Sequence, residues 1–268
     1  MIVAIVAAVI VLLFLYLLFP SPRRHPDRRL LQGRYIAHRG LHGLEENTPE
    51  NSLAAFRAAI QHGYAIEIDI HLTADGEVVV FHDDDTVRMC SVDGKPEEMT
   101  LAELKRLRLD DTAETIPTLS ECLALVDGQV PLLIEFKCGA RTCTALCEKA
   151  NELLSNYRGA YCIQSFFPLV LRWYRHHRRD ICRGQLSSAF PKEELHKQLL
   201  GCLLFNFLGR PDFVSYDHRY VSHPCRRLCT WLGAYPVGWT FTSQEAVDRC
   251  RTAFGTYIFE GFVPREDE

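Results

Sequence analysis

Two histidines flank a close pair of carboxylates between residues 35 and 82. The stretch reads Tyr35-Ile-Ala-His38-Arg39-Gly40, then Glu67-Ile-Asp69, then Phe81-His82-Asp83. Imidazoles exchange protons near neutral pH, and two carboxylates on one strand face can hold a divalent cation. That set suits hydrolysis of a phosphate ester, which needs positive charge to hold the anion, a base and an acid. Further on, Leu132-Leu-Ile-Glu135-Phe-Lys137 places two opposite charges inside an apolar run. Alternation puts Glu67 and Asp69 on one strand face, and likewise Glu135 and Lys137. A carboxylate buried without a partner is costly, so these interruptions call for a counter-charge. Glu67, Asp69 and Glu135 supply three carboxylates for one hard cation, Mg²⁺ or Ca²⁺, while Arg39 and Lys137 supply positive charge for a phosphate.

The elements that must position these residues are β-rich apolar runs alternating with helical stretches. The expected strands are 35–38, 65–71, 131–137, 160–166, 181–186, 212–216, 236–240 and 256–260. Helix-like segments lie between them at 51–62, 142–155, 192–207 and 244–252. In the first, Asn51 or Ser52 can cap the start, Leu53, Phe56 and Ile60 give the apolar spacing, and Gly63 ends it. Such alternation implies parallel βαβ units, and eight of them suggest a closed (β/α)8 barrel, with catalytic residues gathered at the C-terminal mouth. The tail after Glu260 is short for an eighth outer helix, which leaves a doubly wound open sheet as the competing architecture.

A ninth extended run, 77–82, follows Asp75-Gly76, a two-residue hairpin signal. With those two residues as the loop, Ala74 faces Glu77, and counting outward puts Asp69 opposite His82. Directly paired Cβ atoms are about 5 Å apart, so turn chemistry alone would bring one histidine to the carboxylates.

Taken in order, the motifs His38-Arg39-Gly40, Pro49-Glu50-Asn51-Ser52-Leu-Ala-Ala-Phe56, Glu67-Ile-Asp69, Leu72-Thr-Ala-Asp-Gly76, Val80-Phe-His82-Asp83, Ile116-Pro-Thr-Leu119, Glu135-Phe-Lys137 and Trp239-Thr240 resemble the bacterial glycerophosphodiester phosphodiesterase family over roughly residues 33–262. The resemblance implies a (β/α)8 TIM barrel of the phospholipase-C-like phosphodiesterase type, with a small insertion after the second strand at about 78–119. It further implies that His38 and His82 are the general base and acid, and that Glu67, Asp69 and Glu135 hold the cation. Arg39 and Lys137 would bind phosphate oxygens, and Glu50 would sit beside the metal or orient Arg39. Glu46-Asn47-Thr48 nearly duplicates Glu50-Asn51-Ser52, and adjacency to the helix favours Glu50. The last strand, Ile258-Phe-Glu260-Gly-Phe262, departs from the family, which often carries Asn or Asp near a proline there. The implied reaction cleaves glycerophosphodiesters to sn-glycerol 3-phosphate and an alcohol. Lysophospholipids cleaved at a membrane surface are the alternative substrates, and a non-catalytic glycerophospholipid-binding barrel is the alternative class.

Residues 1–19 of the 268-residue chain carry no charged side chain. As a helix of roughly 28 Å they would match the hydrocarbon core of a bilayer, so the expectation is a single transmembrane anchor over 1–19. Residues 20–32 then form a basic linker with four arginines (Arg23, Arg24, Arg28, Arg29), and 33–268 the catalytic barrel. The positive-inside rule would keep that barrel in the cytoplasm. Eleven cysteines at irregular spacings, with no C-x-x-C pair, read as free thiols of a reducing compartment. A net charge of −4 does not suggest nucleic acid as a partner. No protein partner is implied either.

Overall fold

A computed structural model describes residues 1–23, 25–190 and 194–265. Its strands are β1 (Tyr35–Ala37), β2 (Ala65–Leu72), β3 (Val78–Val80), β4 (Leu132–Phe136), β5 (Tyr161–Ser165), β6 (Arg183–Ser187), β7 (Phe213–Asp217), β8 (Tyr235–Phe241) and β9 (Thr256–Phe259). Eight of them run parallel in the order β1-β9-β8-β7-β6-β5-β4-β2, and the β1–β2 pairing closes the ring. This is a (β/α)8 barrel, not the open doubly wound sheet.

Strand parity sorts the side chains into layers. Ile66, Ile68, Ile70, Leu132, Ile134 and Phe136 point outward into the main apolar cluster beneath the helices. The opposite parity points inward, where Ile36, Ala65, Leu133, Cys162, Phe213 and Ile258 form an apolar plug at the base. One step up β2 and β4 the same parity delivers Glu67, Asp69 and Glu135. Asp69 is directly in register with Glu135, and Glu135 with Gln164. A dry base below and polar residues at the strand ends is the arrangement that puts chemistry at the mouth.

Local capping fixes where the helices begin. Ser52 Oγ accepts the Ala55 N–H at 3.1 Å and starts the Leu53–Gln61 helix. Thr118 and Glu121 close a reciprocal capping box at the start of the Leu119–Val126 helix. Between β3 and that helix, Val79, Phe81, Met89, Leu104, Leu109 and Ile116 form a separate small core. The apolar stretch anticipated as one helix over 192–207 is two short ones, Leu195–Gly201 and Asn206–Gly209, broken where Leu203 takes a positive φ of 59°. Lys192 lies outside the described residues. The cysteines are free thiols.

Two expectations need correction. The hairpin pairs Ile70 with Val80 and Leu72 with Val78, one residue off the register counted from a two-residue loop. The Thr73 N–H donates to Glu77 O, so the loop is Ala74-Asp75-Gly76. Gly76 donates back to Thr73 O and takes φ +81°, a turn closed by a left-handed residue. Thr73 favours this longer loop, since its hydroxyl accepts the Glu77 N–H and donates to Asp75. Asp69 therefore faces Phe81, which donates its N–H to Asp69 O at 3.0 Å, and not His82.

The second correction concerns the N-terminus. Among the described residues no helix is long and apolar enough to cross a membrane. The first helix, Ile2–Leu18, has 17 residues, about 26 Å against the roughly 30 Å of a hydrocarbon core. Its early turns are exposed, but its last turn is built into the barrel. Leu18 is fully buried, its carbonyl accepts from Asn206 Nδ2 at 3.0 Å, and Arg210 Nη1 donates to the Tyr16 and Phe19 carbonyls. The single-pass anchor over 1–19, and the cytoplasmic orientation inferred from it, are withdrawn.

Candidate active site

The mouth holds the residues that the sequence singled out. A cavity of about 100 Å³ is lined by His38, Arg39, Glu67, His82, Glu135 and Lys137. His38 directly follows β1, and its Nδ1 lies 2.6 Å from Glu260 Oε2 at the end of β9. Burial holds the His38 imidazole below the ordinary histidine range, and Glu260 pulls the other way. The hydrogen bond to His38, and then the His42 ring 3.9 Å away, hold Glu260 well below the usual carboxylate range. The net result is a neutral imidazole at pH 7 on an ionised orienting carboxylate.

His82 is arranged in the same way. Its Nδ1 sits 2.6 Å from Asp83 Oδ1, and burial lowers its pKa as well. Alternation would have sent this ring to the side of Val80. The chain leaves the ladder after Phe81, and His82 turns to the mouth. Each histidine thus keeps Nε2 available, with Nδ1 held by a carboxylate that fixes the ring.

Glu67, Asp69 and Glu135 each offer an oxygen within 4.8 Å of the others. They are 1%, 0% and 5% exposed, so water does little to screen them. Burial, then the charges of Asp69 and Glu135, push Glu67 well above the usual range. Burial also pushes Glu135 up to about 7. Asp69 goes the opposite way, because Lys137, His82 and Arg39 outweigh its burial. Glu67 Oε1 is buried with no hydrogen-bond partner. Three converging carboxylates and an orphaned oxygen fit a hard divalent cation, which would let all three ionise together.

Both cationic side chains are tied to these acids. Lys137 Nζ is 2.5 Å from Glu135 Oε1 and 3.1 Å from Asp69 Oδ1. Arg39 donates through Nη1 to Glu50 Oε1 at 2.8 Å, and its Nε lies 3.6 Å from Asp69 Oδ2. Glu50 therefore stands on Arg39, while Glu46 is exposed. Arg39 and Asn51 both take left-handed backbone (φ 56° and 54°) and are joined by Asn51 N–H to Arg39 O. A side chain at Gly40 would put Cβ 2.9 Å from Ala55 and Phe56, so the loop needs glycine to lie against the helix.

Several residues of the site were given no part in binding or catalysis by the sequence. Glu260 is one. Asn51 donates from Nδ2 to Asp69 Oδ2 at 3.0 Å. Arg88 bridges Asp83 and Glu50, with Nε 2.6 Å from Asp83 Oδ2 and Nη2 2.5 Å from Glu50 Oε1. His71, inward on β2, is buried and driven down to about 4 by that burial. Trp239 lines the cavity with its indole N–H unpartnered. The β2 parity could have flagged His71, but the others depend on contacts between distant loops.

A parallel barrel with carboxylate-backed histidines around three buried acids suits a hydrolase of the phosphodiesterase class. The family model for the glycerophosphoryl diester phosphodiesterase family matches residues 38–174. The chain is 36% identical over 223 residues to the "Putative glycerophosphodiester phosphodiesterase YhdW" of Bacillus subtilis, covering 78% of this chain and 86% of that one. It is also 36% identical over 130 residues to a glycerophosphodiester phosphodiesterase of Caldanaerobacter subterraneus, covering 46% of this chain and 52% of that protein. Among solved structures, an Oleispira antarctica phosphodiesterase in complex with the product sn-glycerol-3-phosphate aligns with a TM-score of 0.73 at 25% identity, over 87% of this chain and 94% of that one. The chain belongs to the glycerophosphodiester phosphodiesterase family and is a phosphoric diester hydrolase.

Proposed function

We propose that His38 and His82 divide the acid–base work of glycerophosphodiester cleavage across the Glu67–Asp69–Glu135 cluster. The observation that carries this reading is the pair of histidines, each with Nδ1 held 2.6 Å from a carboxylate, lining one cavity with Glu67 and Glu135. One ring takes the proton of the attacking hydroxyl or water through Nε2. The other, in its imidazolium form, gives its Nε2 proton to the departing alkoxide, so the alcohol leaves neutral. With water attacking, sn-glycerol 3-phosphate results directly; with the neighbouring glycerol hydroxyl attacking, a cyclic phosphate forms that water then opens with the two rings exchanging roles. Glu260 and Asp83 stabilise whichever imidazolium forms. Arg39, held by Glu50, and Lys137 bind the non-bridging phosphate oxygens. Glu67, Asp69 and Glu135 would hold Mg²⁺ or Ca²⁺, which when bound offsets charge on those oxygens.

A second substrate reading has its own support. A cavity of about 740 Å³ adjoins the mouth, shares Glu135 and Lys137 with it, and is lined by Phe167, Leu169, Leu200 and Phe205. Such a wall suits an acyl chain, and lysophospholipid cleavage is the reading it favours. Turnover of glycerophosphocholine against lysophosphatidylcholine tests the choice. A Leu200→Glu variant that loses lysolipid turnover alone would support the apolar cavity as an acyl site. Equal effects on both substrates would reject it.

A further inference from the structure

The N-terminal end of the barrel, opposite the mouth, carries a third cavity of about 180 Å³. Arg23, Arg175, Arg179, Arg183 and Arg210 line it, with Asp212 the one carboxylate. Arg183 opens β6 and Asp212 immediately precedes β7, so the cavity belongs to the strand starts. Five guanidinium groups against one carboxylate stand out in a chain whose net charge is −4.

Three of these arginines are fixed by backbone carbonyls. Arg175 Nη1 donates to the Phe207 and Leu208 carbonyls, Arg210 Nη1 to those of Tyr16 and Phe19, and Arg183 Nε to that of Gly209. Carbonyl acceptors hold the guanidinium planes without cancelling their charge. Among the described residues the five make one ion pair, Arg183 with Asp212 at a long 3.9 Å. Arg183 is only 6% exposed, so its charge is poorly solvated. Burial, and further along the repulsion from Arg175 and Arg23, hold it below the ordinary arginine range; Arg210 is lowered likewise by burial and then by Arg175. Like charges gathered and pinned around a hollow destabilise one another unless an anion fills it. Planar guanidinium groups favour tetrahedral oxyanions through paired N–H donors.

We infer that this basal cavity is a binding site for a phosphate-bearing anion, separate from the catalytic mouth. The shared chemistry is a phosphate group, borne either by a free phosphomonoester or by a phospholipid headgroup. No part in the chemical step is involved, since Arg39 and Lys137 serve the other end of the barrel.

Calorimetric titration of the full chain with inorganic phosphate tests this. Arg23 and Arg179 are exposed and lie outside the catalytic machinery, so the Arg23→Gln/Arg179→Gln variant should fold and turn over normally. It should lose one phosphate-binding event or weaken it at least tenfold, and the corresponding lysine pair should restore part of it. Lys137→Met, as control, should remove only the event at the mouth. Unchanged phosphate binding in the glutamine pair, with Lys137→Met abolishing all of it, would overturn the inference. The source is then read from two arms, competition by sn-glycerol 3-phosphate and co-sedimentation with phosphatidic acid vesicles. Competition without arginine-dependent sedimentation assigns the free phosphomonoester; arginine-dependent sedimentation assigns the headgroup.

Discussion

Glu260 Oε2 sits 2.6 Å from His38 Nδ1, joining the end of the last strand to the end of the first. Because β1 and β9 are neighbours in the closed ring, barrel closure itself builds this contact. The Glu260 carboxylate opposes the burial that lowers the His38 pKa. Glu260→Gln removes that opposition, so the imidazole pKa falls further. The neutral base form exists above that pKa, so the acid limb of kcat/KM should move to lower pH. The maximal kcat should drop by roughly tenfold or more, because the ring loses its orientation and its counter-charge. A pH–rate profile of both proteins checks this, and an acid limb that does not move would contradict the assignment of His38.

How much of this was legible in the sequence follows from the range of each contact. The strands and the inward parity of Glu67, Asp69 and Glu135 were readable because alternation is local. The hairpin was readable as a hairpin but not in register: the Thr73 hydroxyl selects a three-residue loop, and one residue of loop length shifts every pair. His82 still reaches the mouth, for a reason the count did not supply, since the backbone leaves the ladder after Phe81. Glu260 and Arg88 work across the barrel closure and the segment after β3, so no nearby spacing reveals them. The first helix misled for a related reason. Its composition reads as membrane-spanning, and only the docking of Leu18 and Tyr16 against Asn206 and Arg210 shows where its last turn goes.

Arg88 ties Asp83, the partner of His82, to Glu50, the partner of Arg39. Arg88→Met should loosen both supports together. The expectation is a fall in kcat of about tenfold with a rise in KM, since ring orientation and phosphate positioning are both affected. Steady-state kinetics decide it, and unchanged values would mean that the bridge is a surface ion pair of little consequence.

A cation held by the buried acids, as proposed, would make stability depend on it. At a free Mg²⁺ or Ca²⁺ level about 100-fold above its Kd, binding adds roughly 2.7 kcal/mol. The melting temperature should therefore fall on EDTA treatment and recover on metal addition. Asp69→Asn should shrink that difference, since one of the three proposed ligands loses its charge. A melting temperature indifferent to EDTA and to both metals would argue against a cation at this cluster.

Gly76 takes φ +81°, and its Cβ position is open space. Gly76→Ala therefore meets no clash and costs only the left-handed backbone, roughly 1–2 kcal/mol. Urea denaturation should show a lower midpoint with an unchanged slope. A midpoint equal to wild type would mean that the loop relaxes to another turn.

The most direct test is release of sn-glycerol 3-phosphate from glycerophosphocholine by the EDTA-treated chain, before and after adding Mg²⁺ or Ca²⁺, in wild type, His38→Ala and His82→Ala. The expected result is metal-restored release in wild type, with each histidine variant lower by about 10²–10⁴-fold while its metal-dependent melting shift persists. Near wild-type release from either variant would contradict the division of acid–base work between these two rings.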